Sequence, residues 1–282
     1  ARQVHLGRQL RELRSRAGLS LEQAAAHVER VRATVGHWER GHARISARDL
    51  DALLTLYGAQ EEISEHLRQL RRDCGQRGWW QSYKLPPYLE PFVGFEAEAS
   101  EIFNFELGVV PGLLQTREYT WAVHEAGHLA LSEPELEAWA EFRMQRQKRL
   151  DGDDLTLHAV IAEEALHRVV GSRRVMAEQL RHLADSALRP NVKLQVLPLE
   201  SGAHVGVSGP IVVLRFADPA HVDVAFSDTP LGGTVIDEIH FVAELSRLFG
   251  HLQRQALSIT DSMRLLSTIA EDHMIKSKEQ SE

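Results

Sequence analysis

Apolar residues recur at helical spacing through the first quarter of the chain. Leu6, Leu10, Leu13 and Ala17 fall on one stripe with Arg8, Arg11, Arg14 and Arg16 around the remaining surface, which predicts a helix over 6–17 ended by Gly18. Ser20 followed by Gln23 is a capping box, in which each residue satisfies a backbone amide the helix leaves open, so a second helix should run over 21–28. Its Ala24, Ala25 and Val28 form a small-residue face that lets another helix approach. A third helix over 32–40 buries Val35 and Trp38, leaves Arg32, Ala33, Thr34 and His37 outside, and stops at Gly41. Ser46 with Asp49 caps a fourth, through Leu50, Leu53, Leu54 and Tyr57 to Gly58, and Ile63, Leu67 and Leu70 line a fifth over about 60–73.

From Cys74 the pattern fails, with Gly75, Gly78, Trp79-Trp80 and Pro86-Pro87 in a connector over 74–91. Two adjacent tryptophans left in water would forgo much apolar burial, so this segment is expected to dock on the C-terminal body of the chain. In that body the pattern mixes both periods. The expectations are a strand at 92–96, a helical or irregular stretch at 97–105, a helix capped by Thr116, and a long amphipathic helix from Pro134 to about Leu150. A β-rich run at 155–162, a helix at 175–188 and a strand at 192–197 come next. Strands at 211–216 and 222–226 read as a hairpin, and helices over 236–255 and 260–272 precede a charged tail, 276–282, expected to be disordered. The fold class is therefore an all-α five-helix head (1–73) followed by a mixed α/β, that is α+β, C-terminal domain (92–275), with no repeat.

Composition refines this picture at a few points. The single cysteine, Cys74, excludes an internal disulfide and fits a reducing cytoplasm; it reads as structural. Apolar runs such as Ile211 to Leu214 are too short to span a bilayer, and no leader is evident, so no membrane role is expected. The net charge of −8 is unevenly spread: residues 1–72 hold 13 arginines against 9 acidic residues, a net of +4, and the remainder carries −12. A basic head on an acidic body suits a chain of which only the head meets phosphate.

A short helix pair with a polar, basic outer face on its second member is the helix-turn-helix that sets a recognition helix in the DNA major groove. Leu19-Ser20, Ala25, Val28, Arg32-x-Thr34-Val35 and Glu39-Arg40-Gly41 also resemble the phage-repressor, XRE-type family of DNA-binding heads. Glu29 stands where that turn usually has Gly, so a non-Gly residue at positive φ is expected, at a cost of about 1 kcal/mol. Arg32 would contact a guanine edge, Ala33 a thymine methyl, and His37 a base or phosphate. Gln23, Thr34, Arg40 and Arg44 would hold the backbone of double-stranded DNA. Such heads usually read paired half-sites, so a homodimer is expected, with the Trp79-Trp80 segment and the last two helices as its interface.

The second half carries its own wording. Pro111-Gly112-Leu113-Leu114-Gln115-Thr116-x-x-Tyr119, Arg143-x-x-Arg146-Gln147, Glu164 with Leu166, Gln179-Leu180-x-x-Leu183, Asn191-Val192, Gln195-Val196-Leu197-Pro198 and Gly202-Ala203-His204 resemble the actinobacterial regulators with a C-terminal DUF5753 domain, including the WhiJ-like developmental regulators. The resemblance implies a nucleoid-associated transcriptional regulator whose C-terminal domain senses a signal, with small DUF397-type proteins as candidate partners. A small-molecule effector is the other candidate input. The residues expected to receive it are Arg146, Gln147, Glu164 and His204, the last in the Gly-rich 200–210 loop. An enzyme alternative rests on His124-Glu125-Ala126-Gly127-His128, an H-E-x-x-H whose histidines would share a helix face and hold zinc. The bland reading of that motif is a solvated helix end, since Gly127 suggests termination before His128. No glycine loop for phosphate is present, and no cofactor, resident metal or catalytic residue is expected.

Overall fold

The computed structural model describes residues 2–41, 43–74, 78–127, 131–218, 221–229 and 232–280. They divide into two compact units, Ala1–Ser82 and Tyr83–Glu282.

The first unit is five helices: α1 (Arg2–Arg16), α2 (Leu21–His27), α3 (Arg32–Glu39), α4 (Ala47–Leu56) and α5 (Glu61–Asp73), followed by a 3-10 turn at Trp79–Ser82. Leu6, Leu10, Ala24, Val35, Trp38, Leu50, Leu53 and Leu67 meet in one core. The Ser20–Gln23 capping box forms, and Ser46 accepts from the Asp49 amide at the start of α4. Glu29 in the turn between α2 and α3 sits at φ 54°, as its place in the motif requires. Cys74 packs against this core. Trp79 and Trp80 belong to this unit, their rings edge to face at 6.0 Å.

Two features set the position of α3. A Cβ on Gly7 would lie 2.2 Å from the Trp38 carbonyl oxygen, so α1 crosses the end of α3 at a distance only glycine permits. Beside that crossing, Arg14 of α1 donates to both carboxylate oxygens of Glu39, at 2.6 and 2.9 Å, and to the Leu19 carbonyl at 2.8 Å. Both side chains of the pair are largely withdrawn from water, 12% and 5% exposed.

The second unit is built on a six-stranded mixed sheet: β1 (Glu101–Glu106), β2 (Thr156–Ala162), β3 (Val192–Leu197), β4 (Ile211–Arg215), β5 (Val224–Thr229) and β6 (Gly232–Ile236), in the order β3-β2-β1-β4-β5-β6. β1, β2 and β3 run parallel; β4, β5 and β6 add antiparallel. α6 (Leu89–Glu96) precedes β1. The crossover from β1 to β2 carries α7 (Arg117–Gly127) and α8 (Glu133–Gln147), and that from β2 to β3 carries α9 (Glu163–His167) and α10 (Arg173–Ser186). α11 (Ile239–Gln255) and α12 (Ile259–Glu279) end the chain. α11 covers one sheet face, where Phe105, Val160, Val213 and Ala225 meet Val242, Phe249 and Leu252. Residues 102, 104 and 106 of β1 point to the other face by strand alternation.

Several sequence expectations are corrected here. Residues 92–96 are helical, because Phe92, Val93 and Phe95 are buried together and a short apolar run covered on all sides has no period to distinguish helix from strand. Within the stretch 97–105, expected to be helical or irregular, residues 101–105 belong to the central strand β1. Residues 232–236 form an edge strand, so the helix expected from 236 starts at Ile239. The charged tail is helical through Glu279, extended by a Lys276–Asp272 pair one turn apart; residues 281–282 lie outside the described residues. The 200–210 loop holds two 3-10 turns, Leu199–Ser201 and Val205–Ser208.

Removing one partner of a withdrawn ion pair strands the other, which costs about 3–5 kcal/mol, whereas exposed pairs are worth about 0–1 kcal/mol. Glu39→Ala is thus expected to raise amide hydrogen exchange throughout α1 and α3, and Arg68→Ala, which breaks exposed pairs to Asp51 and Glu61, to leave it nearly unchanged. Similar exchange in the two variants would contradict this ranking.

Candidate functional site

In the first unit, α3 divides cleanly into two faces. Val35, Gly36, Trp38 and Glu39 are buried; Arg32, Ala33, His37 and Arg40 are exposed, and Thr34 is half-buried. Arg44 is exposed just beyond, and Gln23 is exposed at the start of α2, its side-chain oxygen accepting from the Ser20 amide. His42 lies outside the described residues. Arg32 pairs with Glu22 at 2.8 Å, with both side chains more than 60% exposed, so the pair is weak and the guanidinium can be drawn elsewhere at little cost. No side chain caps α3 at Val31, which leaves its first amides and its dipole open to an anion.

In the second unit, a cavity of about 780 Å³ lies over the sheet face that α11 does not cover. Ile102, Asn104 and Glu106 of β1, Val212 of β4, and Phe226 and Asp228 of β5 line it from the sheet side. α6 contributes Phe92 and Glu96, α7 Val123 and His124, and α8 Trp139, Arg143 and Arg146. The volume suits a drug-sized molecule. A separate cleft of about 150 Å³ beside Gln147, His182 and Arg189 is too small for one.

Two arginines one helical turn apart on α8 have opposite circumstances. Arg146 donates to both oxygens of buried Glu96, at 2.7 and 2.6 Å, and lies between the Phe92 and Phe142 rings. Arg143 forms no ion pair among the described residues. Its one hydrogen-bonding contact is Nη2 to His124 Nε2 at 3.3 Å, and its Nε has no partner. It is half-buried and lines the cavity; burial first, then the charge of Arg146, pushes it down to about 9, against the pull of Glu96, Glu106 and Asp228. Glu106 is pushed up to about 7 by burial, opposed by a 3.1 Å bond from the Asn104 amide. His124 stacks on Trp139 at 4.8 Å.

The 110–116 loop between β1 and α7 is held by three glutamines, Gln115 and Gln179 buried and Gln147 half-buried. Gln115 donates to the Val110 carbonyl, Gln147 to the Gly112 and Gln115 carbonyls, and Gln179 to the Leu114 carbonyl while accepting from the Thr116 amide. The Val110 amide donates to the Tyr119 hydroxyl oxygen. This satisfies a loop whose backbone has no sheet or helix partner. A Cβ on Gly112 would overlap the Arg143 guanidinium, so glycine is what lets that side chain lie against the loop.

A family model described as "Domain of unknown function (DUF5753)" matches residues 89–268. The chain belongs to the DUF5753 family. A second model, described as "Helix-turn-helix domain", matches residues 5–67, so the head is of the kind found in DNA-binding regulators. None of the curated proteins matches the chain. The DUF5753 match takes in every lining residue of the cavity except Tyr88.

The residues expected to receive a signal are not brought together. Arg146 lines the cavity but is already neutralised by Glu96, and Gln147 is used on backbone carbonyls. Glu164 is exposed on α9, and His204 accepts from the Gly206 amide and packs edge-on to Phe105; neither lines the cavity. His124 is buried against Trp139 rather than solvated, α7 ends at Gly127, and His128 lies outside the described residues. Among the described residues no group of three or more metal-ligating side chains is found. The residues that sequence reasoning missed are Asn104, Glu106, Arg143 and Asp228. Their signal is the alternation Ile102, Asn104, Glu106: polar residues where a covered strand face calls for apolar ones.

Glu106 gives a pH test. Its carboxyl is raised in the folded state, so the stability it contributes is present below the usual carboxylate range and is lost as pH rises through about 7. Melting of the second unit is therefore expected to fall between pH 5 and 8 by on the order of 2–3 kcal/mol more than in Glu106→Gln. Parallel pH profiles for the two proteins would contradict the placement of this carboxyl.

Proposed function

We propose that the chain is a sequence-specific transcriptional regulator of the XRE type, working as a homodimer with the nucleoid in the cytoplasm, whose DUF5753 domain takes a small-molecule input. The observation that supports DNA reading is α3, with its inner face locked by Val35, Trp38 and the Arg14–Glu39 fork and its outer face carrying Arg32, Ala33, His37 and Arg40. Arg32 would take a guanine edge, Ala33 a thymine methyl and His37 a base or phosphate one turn on. Gln23, Thr34, Arg40 and Arg44 would fix the backbone. The dimer follows from reach, since one short helix contacts only a few base pairs.

The cavity favours a small molecule over the DUF397-type partner protein. No catalysis is proposed, and zinc is not the favoured occupant of a His124 whose ring is stacked on indole.

Arg32→Ala is expected to cost about 1–3 kcal/mol on a duplex from the region upstream of the gene and to relax its preference over a scrambled duplex. Arg44→Ala should weaken both alike and reduce the salt slope by about 1. Anisotropy titrations across salt concentrations read both effects. Equal wild-type affinity for the two duplexes at moderate salt contradicts sequence-specific binding, and a monomeric mass of the complex by light scattering contradicts the dimer.

A further inference from the structure

We infer that the cavity of the second unit binds a small organic carboxylate with an apolar, ring-sized body, and that Arg143 is the residue that recognises its charge. The inference rests on the proposal that the DUF5753 domain takes a small-molecule input, and it names the chemistry of that input. Arg143 is the starting point. A guanidinium partly withdrawn from water and left without a carboxylate is costly, and proteins ordinarily pair such a charge. This chain shows the ordinary solution one turn away, where Arg146 is held by Glu96 on both oxygens and packed between two rings. Among the described residues Arg143 has only His124, at 3.3 Å, and an Nε without a partner.

The protein also goes to some length to keep Arg143 where it is. Gly112 leaves room that a Cβ would close, and Gln147 holds the Gly112 carbonyl at 3.0 Å, so the loop cannot drift away from the guanidinium. A charge that is positioned this firmly and left unmatched toward a cavity is matched by something that enters the cavity. A planar, singly charged carboxylate fits the guanidinium fork. A phosphate is disfavoured, because Glu106 and Asp228 lie close enough to act on Arg143 and would repel a dianion.

The walls define the rest of the ligand. Phe92 and Phe226 stack at 4.3 Å on one side, and Trp139, backed by His124 at 4.8 Å, stands on another. Val123 and Val212 fill the intervening surface. These sides demand an apolar, flat body. Asn104 and Glu106, on the strand floor, provide places for a hydroxyl or amide donor on that body.

The test uses the full-length protein and a panel of benzoate, 3-phenylpropionate, indole-3-acetate and octanoate, each beside its neutral amide and its amine analogue, measured by isothermal titration calorimetry. At least one carboxylate should bind about 10- to 100-fold more tightly than its amide. Arg143→Met should erase that preference. Val123→Phe, which narrows the cavity without touching a charged group, should weaken carboxylate and amide together, and it keeps the test decisive should Arg143→Met fail to fold. Absence of any carboxylate preference in the panel, preference for an amine, or a preference that survives in Arg143→Met or is untouched by Val123→Phe overturns the inference. The same carboxylate is then added to a DNA titration. Carboxylate binding that leaves DNA affinity unchanged upholds the cavity's chemistry and overturns only its role as the regulatory input.

Discussion

The fork between Arg14 and Glu39 is where the working geometry of the first unit is decided. An isolated eight-residue helix is not stable in water, so α3 exists only through what its inner face touches. Its outer face cannot help, since a surface that is to meet DNA must stay polar and unburied. Val35 and Trp38 supply adhesion, but apolar contacts alone would tolerate a rotation of α3 about its axis. The bidentate bond from Arg14 to Glu39 does not, because both oxygens are taken. The third donor of the same guanidinium holds the Leu19 carbonyl just ahead of α2, so one side chain ties together the three helices of the motif. The close crossing at Gly7 lets α1 approach the end of α3 near enough for this fork to form.

The second unit applies the same chemistry with one partner withheld. Arg146 and Glu96 tie α8 to α6 as Arg14 and Glu39 tie α3 to α1. Arg143, one turn earlier on the same helix, is half-buried with its Nε shut off from water, and among the described residues no acid is bonded to it. The glutamines around the 110–116 loop are structural: each satisfies backbone groups that neither the sheet nor a helix can. In this unit the polar residues thus include some that complete the protein's own hydrogen bonds, such as Gln115, Gln147 and Gln179, and one, Arg143, whose charge is not paired by an acid among the described residues.

How much of this the amino-acid order discloses depends on how local the signal is. The head was almost fully readable, because Ser20, Ser46, Gly18, Gly41 and Gly58 mark helix ends through their immediate neighbours, and even the positive φ of Glu29 follows from its place in the turn. The opening of the second unit was not. Residues 92–96 are buried without a break and β1 is covered on both faces, so apolar periodicity vanishes from the helix, and cavity-facing Asn104 and Glu106 disguise the strand. The Gly232–Ile236 edge strand has too few side chains to announce itself. Arg146 and Gln147 drew attention by their chemistry, yet whether a polar group is spent on its own fold or left for a ligand is a property of three-dimensional neighbours. Only the pairing of Arg146 with Glu96 and the isolation of Arg143 reveal it.

That α3 reads sequence through the face this clamp presents is tested most directly by selection from a library of random duplexes with the full-length protein, run in parallel with Arg32→Ala. Enrichment of a short motif containing a guanine, repeated at a spacing of about one helical turn, is expected for the wild type, with that guanine lost in the variant. No enrichment over the starting library, or an identical motif from Arg32→Ala, would contradict it.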